Sequence, residues 1–302
     1  MDSAASGFRG VPRLLVSLML LAVAAGAFSV QEPSLPPSDR ILPPEYYKSV
    51  YNNIYGSGEA TNTGGRTPWD IGENRPQPAV VRAYEEGKIR GNVLDAGCGV
   101  GENCIFLACK YGIKSVTGFD LSEVAVEIAA ENARDIAKKQ QDDEQSQLPF
   151  WTTPSFLAAS CTDVADRHMG KLLSGITNAD RTRSSSNELL FDVVIDSGLL
   201  HCLSGEDARE YVHQISKLLK PNTGRFYIGC FSTANPDPWD NPRRISEDYL
   251  RDELFSNEEL WEIVSCTDCW WARPPKRGSS TGGAFCLALW VEARCLAISK
   301  DH

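Results

Sequence analysis

The stretch from Val93 to Asn103 constrains this chain more than any other. An apolar run, Val93-Leu94-Asp95-Ala96, breaks into glycines at 97, 99 and 101 and enters a helical segment at Glu102. Alternate glycines remove the side chains that would hold the backbone off a ligand, and they permit a tight strand-to-helix turn. The first amides of the helix that follows have no partner within it and point at whatever the turn encloses. This is how an α/β protein builds a nucleotide-type cofactor site. A dinucleotide fingerprint, G-x-G-x-x-G, would put its third glycine at 102, where this chain has Glu102; the third glycine comes one residue early, which weakens a nicotinamide reading.

The context sharpens the reading. A helix is expected from Glu102 to Tyr111, closed by Gly112, and then a strand, Ser115 to Asp120, that ends in a carboxylate. Asp120 lies 19 residues past Gly101, where one βα unit brings it level with the glycine loop and lets it accept from both hydroxyls of a ribose. Asp95-x-Gly97-x-Gly99-x-Gly101 resembles motif I of the class I S-adenosylmethionine-dependent methyltransferases. The resemblance implies an α/β fold: a Rossmann-like seven-stranded, mostly parallel sheet with an antiparallel last strand and helices on both faces. It also implies S-adenosylmethionine as cofactor, held by Trp69, Asp95, Gly97, Cys98, Gly99, Gly101, Asn103, Asp120, Leu121, Thr162 and Asp163. Asp163 matches the position that accepts from the adenine amino group, although an Asp in a βα loop also serves as a helix N-cap. No metal is required.

The pattern continues along the chain. Tyr47, Tyr51 and Tyr55 recur every four residues and form one aromatic stripe on a helix, either packed in the core or laid over a ligand mouth. Thr67-Pro68-Trp69-Asp70 and Pro76-Gln77-Pro78 resemble the N-terminal segment of small-molecule methyltransferases of the thiol, halide and thiopurine type, where it folds over the cofactor. A helix follows from Pro78 to Gly87, and Ser122 caps another that runs to about Lys138. Strands are expected at Phe156–Ser160, Phe191–Asp196, Arg225–Phe231, Glu262–Ala272 and Ala284–Glu292, and Ser204 caps a helix between the second and third of these. Residues 166–189 read as a surface insertion. The domain is thus expected over 46–296, with a linker at 28–45 and a tail at 297–302.

Composition limits the partners. A formal net charge of −10 provides no basic footprint for nucleic acid or for an anionic membrane, so a small-molecule acceptor is expected. Residues 1–27 stand apart. Arg9 and Arg13 precede an apolar run from Leu14 to Ala25, and Ala25-Gly26-Ala27 offers small residues before Phe28, as in a cleaved signal peptide that leads into the secretory pathway. A signal anchor and a bipartite plastid presequence are the alternatives. The ten cysteines fall mostly in or beside core elements and read as buried thiols.

Methyl transfer from a sulfonium is an in-line displacement, so the protein supplies mainly alignment and exclusion of water. A thiolate or halide needs no base, whereas an amine or alcohol must lose a proton. His201, after the strand ending at Asp196, is the best candidate base, with Asp196 lining the site beside it; a packed or capping histidine is the plainer reading. The expected activity is transfer of a methyl group to a thiol, a halide or a similar small nucleophile. A catalytically inactive binding protein of the same fold and a nicotinamide oxidoreductase are the alternatives.

Overall fold

A computed structural model describes residues 44–56, 71, 75–142, 150–176, 190–236, 242–272 and 285–296, all within the unit Ile41–His302. The segment 1–27, Trp69 with its Thr-Pro-Trp-Asp motif, and residues 177–189 lie outside them. Seven strands form one sheet: β1 Gly91–Ala96, β2 Ile113–Asp120, β3 Ser155–Ala158, β4 Val193–Ser197, β5 Arg225–Phe231, β6 Trp261–Ala272 and β7 Phe285–Cys295. Their order is β3-β2-β1-β4-β5-β7-β6. Strands β3, β2, β1, β4 and β5 pair in parallel, and β7 runs antiparallel to both β5 and β6. The sheet order reverses between β1 and β4, and that crevice at the carboxyl ends of the strands is where a doubly wound sheet binds its ligand.

Helices cover both faces: α1 Pro44–Gly56, α2 Pro78–Glu85, α3 Glu102–Ala108, α4 Glu123–Asp142, α5 Val164–Leu172 and α6 Gly205–Leu218. Strand residues alternate between two apolar cores because successive side chains point to opposite sides. Leu94, Val194, Phe226 and Ile228 pack with α5 and α6. Val93, Val193, Ile195 and Tyr227 pack with α2 and α3. Ser204 caps α6 as its sequence context requires, its hydroxyl accepting from the Asp207 amide at 3.1 Å.

Residues 166–172 differ from expectation. They form most of α5, the crossover from β3 to β4, and Val164, Ala165 and Leu172 are buried. β3 and β4 run parallel in one sheet, and a chain that returns to a parallel strand needs such a crossover. The polar face of α5 (Asp166, Arg167, His168) gives the segment the composition of a surface loop, while Val164, Ala165 and Leu172, with the partly buried Met169, suffice to seat it. Gln214 of α6 holds its start, Oε1 accepting from the Ala165 and Asp166 amides at 3.0 and 3.1 Å. All ten cysteines are free thiols. Cys266 and Cys269, three apart on β6, fall on opposite faces of the strand and do not form a chelating pair.

One polar contact fastens the far edge of the sheet. Gln77, immediately before α2, donates Nε2–H to the Ala272 carbonyl and accepts the Ala272 amide on Oε1, both at 3.0 Å and both buried. The amide group thus takes the place of a neighbouring strand at the end of β6. Gln77→Ala leaves a buried amide and a buried carbonyl unpaired, and we expect a loss of about 2 kcal/mol in urea unfolding.

Candidate active site

The glycine loop joins β1 to α3. Gly97, Gly99 and Gly101 all have positive φ (68°, 52° and 89°), a region other residues avoid. Space is as tight as the torsions: a Cβ on Gly97 would lie 2.9 Å from Leu199 Cβ, and one on Gly99 would lie 3.1 Å from the Tyr55 hydroxyl. The loop is held from below. Cys98 donates its amide to the Phe119 carbonyl at 2.9 Å, and Asn132 of α4 donates to the Val100 carbonyl at 3.1 Å.

Asp120 closes one side of the crevice. Its Oδ2 accepts the Gly99 amide at 3.0 Å and its Oδ1 accepts the Ser122 amide at 2.9 Å. Burial raises its pKa, while the amides of Ser122, Gly99 and Leu121 pull it back. A half-buried carboxylate tied to the glycine loop is placed to accept from ligand hydroxyls. Asp95 plays a different part. It has no exposed surface, and it accepts from Asn103 Nδ2 at 3.5 Å and from Cys104 Sγ at 3.4 Å, so it and Asn103 fix the first turn of α3 from beneath the loop. Burial pushes the Asp95 carboxyl up to about 7.

Thr162 and Asp163 follow β3. Asp163 is the N-cap residue of α5 by position, yet its side chain makes no capping bond and pairs instead with Arg167 at 2.8 Å. Leu121 is half-buried between Asp120 and α4.

Tyr51 and Tyr55 of α1 lie beside the crevice, and the side chain of Tyr47 is outside the described residues. Tyr55 is buried against Gly99. Tyr51 is hydrogen-bonded to Cys202, and the Cys202 charge followed by burial raises its pKa strongly. Asn52 accepts from Ser122 Oγ at 2.7 Å and Lys48 pairs with Glu123, which pins α1 to the start of α4.

On the other side stands the turn after β4. Asp196 is fully buried. It accepts the Gly198 and Leu199 amides on Oδ1 (3.0 and 2.7 Å), and the Leu200 amide and the Tyr211 hydroxyl on Oδ2 (both 3.0 Å). A carboxylate committed in this way does not touch substrate; Asp196 is a positioning residue that shapes the turn carrying His201. The His201 ring stacks on Phe231 at 4.2 Å and meets Trp271 edge-on at 5.9 Å. Its Nδ1 accepts the Phe231 amide at 3.2 Å, so the neutral ring carries its proton on Nε2. Burial, followed by the Arg243 charge, lowers its pKa to about 3. His201 therefore faces the crevice side of the fold as a neutral hydrogen-bond donor, a poor arrangement for the general base expected from sequence. Trp271 and Arg243 escaped sequence reasoning altogether: the end of β6 and the loop after β5 bring them beside His201 from distant parts of the chain.

Comparison with known proteins agrees with this geometry. The model of a methyltransferase domain family matches residues 70–275. The chain is 27% identical over 219 residues to the 2-heptyl-1-hydroxyquinolin-4(1H)-one methyltransferase of Mycobacteroides abscessus, covering 72% of this chain and 79% of that one. A shorter match, 32% over 83 residues (27% of this chain, 35% of the other), is to the probable thiol methyltransferase 2 of Arabidopsis thaliana. Among solved structures, one reported for the conversion of a disulfide bond into a thioacetal group during echinomycin biosynthesis superposes with a TM-score of 0.58 at 28% identity, over 84% of this chain and 94% of that one. The chain belongs to the methyltransferase-domain family. It is an S-adenosylmethionine-dependent enzyme of the small-molecule kind, and the oxidoreductase alternative falls with that assignment.

Asp196 generates a prediction. Burial pushes its carboxyl from 3.8 up to about 7, so folding takes up a proton in that interval. The stability it confers is greatest below about pH 4 and falls as the pH rises to about 7. Asp196→Asn removes this share of the pH dependence and costs about 2 kcal/mol, because the amide nitrogen meets donors where the carboxylate met them. Urea unfolding of both proteins at about pH 5 and about pH 8 measures the slope and the offset together.

Proposed function

We propose that the chain transfers the methyl group of S-adenosylmethionine to a small nucleophile of the thiol or halide type, with Asp120 and the glycine loop holding the cofactor. The observation that carries this reading is the Asp120 carboxylate bonded to the Gly99 amide at the carboxyl end of β2. The glycine loop suits such a group: its three positive-φ residues bring bare backbone to the crevice, where a side chain would be strained and would collide with Leu199, Tyr55 or Ala129. When bound, the cofactor supplies a methyl group on a sulfonium that is already a good leaving group. The protein then has to bind, align and exclude water. Asp120 would hold the ribose hydroxyls, Asp163 with Thr162 would lie toward the adenine, and Tyr51 and Tyr55 on α1 would shield the crevice from solvent.

Support for the acceptor class comes from several directions. His201 and Asp196, the two groups nearest a base in this crevice, are a proton donor and a saturated carboxylate respectively; a nucleophile that needs no base suits them. The Arabidopsis relative is a probable thiol methyltransferase, and the Mycobacteroides relative acts on a hydroxyquinolinone, which keeps an acidic hydroxyl within the class. We further propose that residues 1–27 are removed before Phe28; N-terminal sequencing of protein from its native source would then begin at Phe28.

Calorimetric titration with S-adenosylhomocysteine tests the cofactor site. We expect micromolar binding, and its loss in Asp120→Ala with the unfolding midpoint little changed. Equal binding by the two proteins would remove Asp120 from the site.

A further inference from the structure

The acceptor side of the crevice carries hydrogen-bond donors whose partners are missing. Trp271 is 5% exposed, and its Nε1–H is buried without a hydrogen-bond partner. Its ring orientation can be read from the two glycines beneath it. The position a Cβ would take on Gly229, within β5, lies nearest Cζ3 (3.0 Å), whereas that on Gly198, just past the end of β4, lies nearest Cη2 and Cζ2 (3.0 and 3.2 Å). The Cζ2 edge is the one that continues to Nε1, so the indole N–H is on the side of the strand ends, where the ligand crevice opens. A buried indole N–H normally finds a partner, and the cost of leaving it bare is about 1 to 3 kcal/mol.

His201 meets it there, and Arg243 follows beside His201. The Gly198 Cβ position is 3.4 Å from His201 Cε1, and His201, with Nδ1 occupied, offers only Nε2–H. Arg243 gives its backbone amide to the His201 carbonyl at 3.1 Å, and its charge acts on His201 and Cys202. One arm of its guanidinium reaches the Tyr249 hydroxyl at 3.1 Å, its Nε is buried and unpartnered, and among the described residues no carboxylate pairs with it. In a chain of net charge −10, an arginine that pairs with no carboxylate among the described residues, near two N–H donors, stands out.

We propose that Arg243, Trp271 and His201 form a receptor for an anionic methyl acceptor, which enters the site already ionised as an oxyanion, a thiolate or a simple anion, in preference to a neutral amine. The inference rests on the methyltransferase reading above and names the acceptor class for it. Charge-assisted donors are the strong ones for an anion, and none of the three can take a proton from a neutral nucleophile. The balance of the reaction agrees. A lone pair of the anion forms the bond to the methyl carbon, the carbon–sulfur bond breaks with its pair passing to the sulfonium sulfur, and anion and sulfonium become two neutral products with no proton released. An amine acceptor would leave a proton that these side chains do not accept.

The test uses the full chain saturated with S-adenosylhomocysteine, at a pH where 4-nitrophenol is ionised. Three probes are titrated: 4-nitrophenolate, thiocyanate and neutral 4-nitroaniline, which has the shape of the first. We expect at least one anion to bind about tenfold or more tighter than 4-nitroaniline, with Arg243→Gln and Trp271→Phe each weakening that anion by about tenfold and leaving S-adenosylhomocysteine affinity unchanged. Phenylalanine keeps most of the packing of Trp271 and removes only the N–H, so an effect through folding would show in the cofactor titration. Binding of 4-nitrophenolate assigns an aryl oxyanion class, and binding of thiocyanate alone assigns small anions. Equal binding of 4-nitroaniline, binding of neither anion, or anion affinity untouched by both variants would overturn the proposal while the cofactor site stands. Failure of S-adenosylhomocysteine itself to bind would overturn both.

Discussion

At the end of β4 a buried carboxylate accepts three backbone amides and the Tyr211 hydroxyl. Taking a carboxylate out of water is costly unless its lone pairs are met, and here the donors that meet them are the amides of the next three residues after Ser197 together with a tyrosine from α6. That set of bonds dictates the path of the chain from Gly198 to Cys202. The path in turn places Leu199 against Gly97, Cys202 under Tyr51, and the His201 ring on Phe231. The glycine loop, α1 and the His201 side of the crevice are all registered to this one group, although it has no exposed surface.

The crevice it organises is divided by polarity. On the β2 side, Asp120 presents a carboxylate suited to hydroxyl donors. On the β5 and β6 side, Trp271 and Arg243 bury Nε–H groups without partners and His201 keeps its proton on Nε2. Displacement at a sulfonium asks for this division: one end of the site must hold a polyhydroxylated ligand by accepting, and the other must aim a nucleophile without competing for it as a base.

The glycine loop and Asp120 are legible because the turn, the helix start and the carboxylate follow one another within a single βα unit, and their torsions demand glycine. Ser204 is legible because a cap and its helix are neighbours. Failures arise where the chemistry of a residue depends on what is packed beside it. The α5 segment resembles a loop because its exposed face is charged and only four residues meet the core. Asp196 resembles a site residue because its type and strand-end position fit, and only the four converging donors show that its oxygens are spent. His201 resembles a base until the Phe231 amide, thirty residues away, is found on Nδ1.

The sequence by itself therefore determined the α/β class, the positive-φ glycine loop and the carboxylate at the end of β2 that is tied to it, because each follows from backbone torsion and short-range order. Only the tertiary structure decided which polar groups are satisfied and which are left open. Trp271 and Arg243 lie on separate parts of the chain, and nothing in their neighbourhoods along it marks them. Hydrogen-bond satisfaction is a property of space: a donor becomes a binding group when folding buries it and supplies no partner.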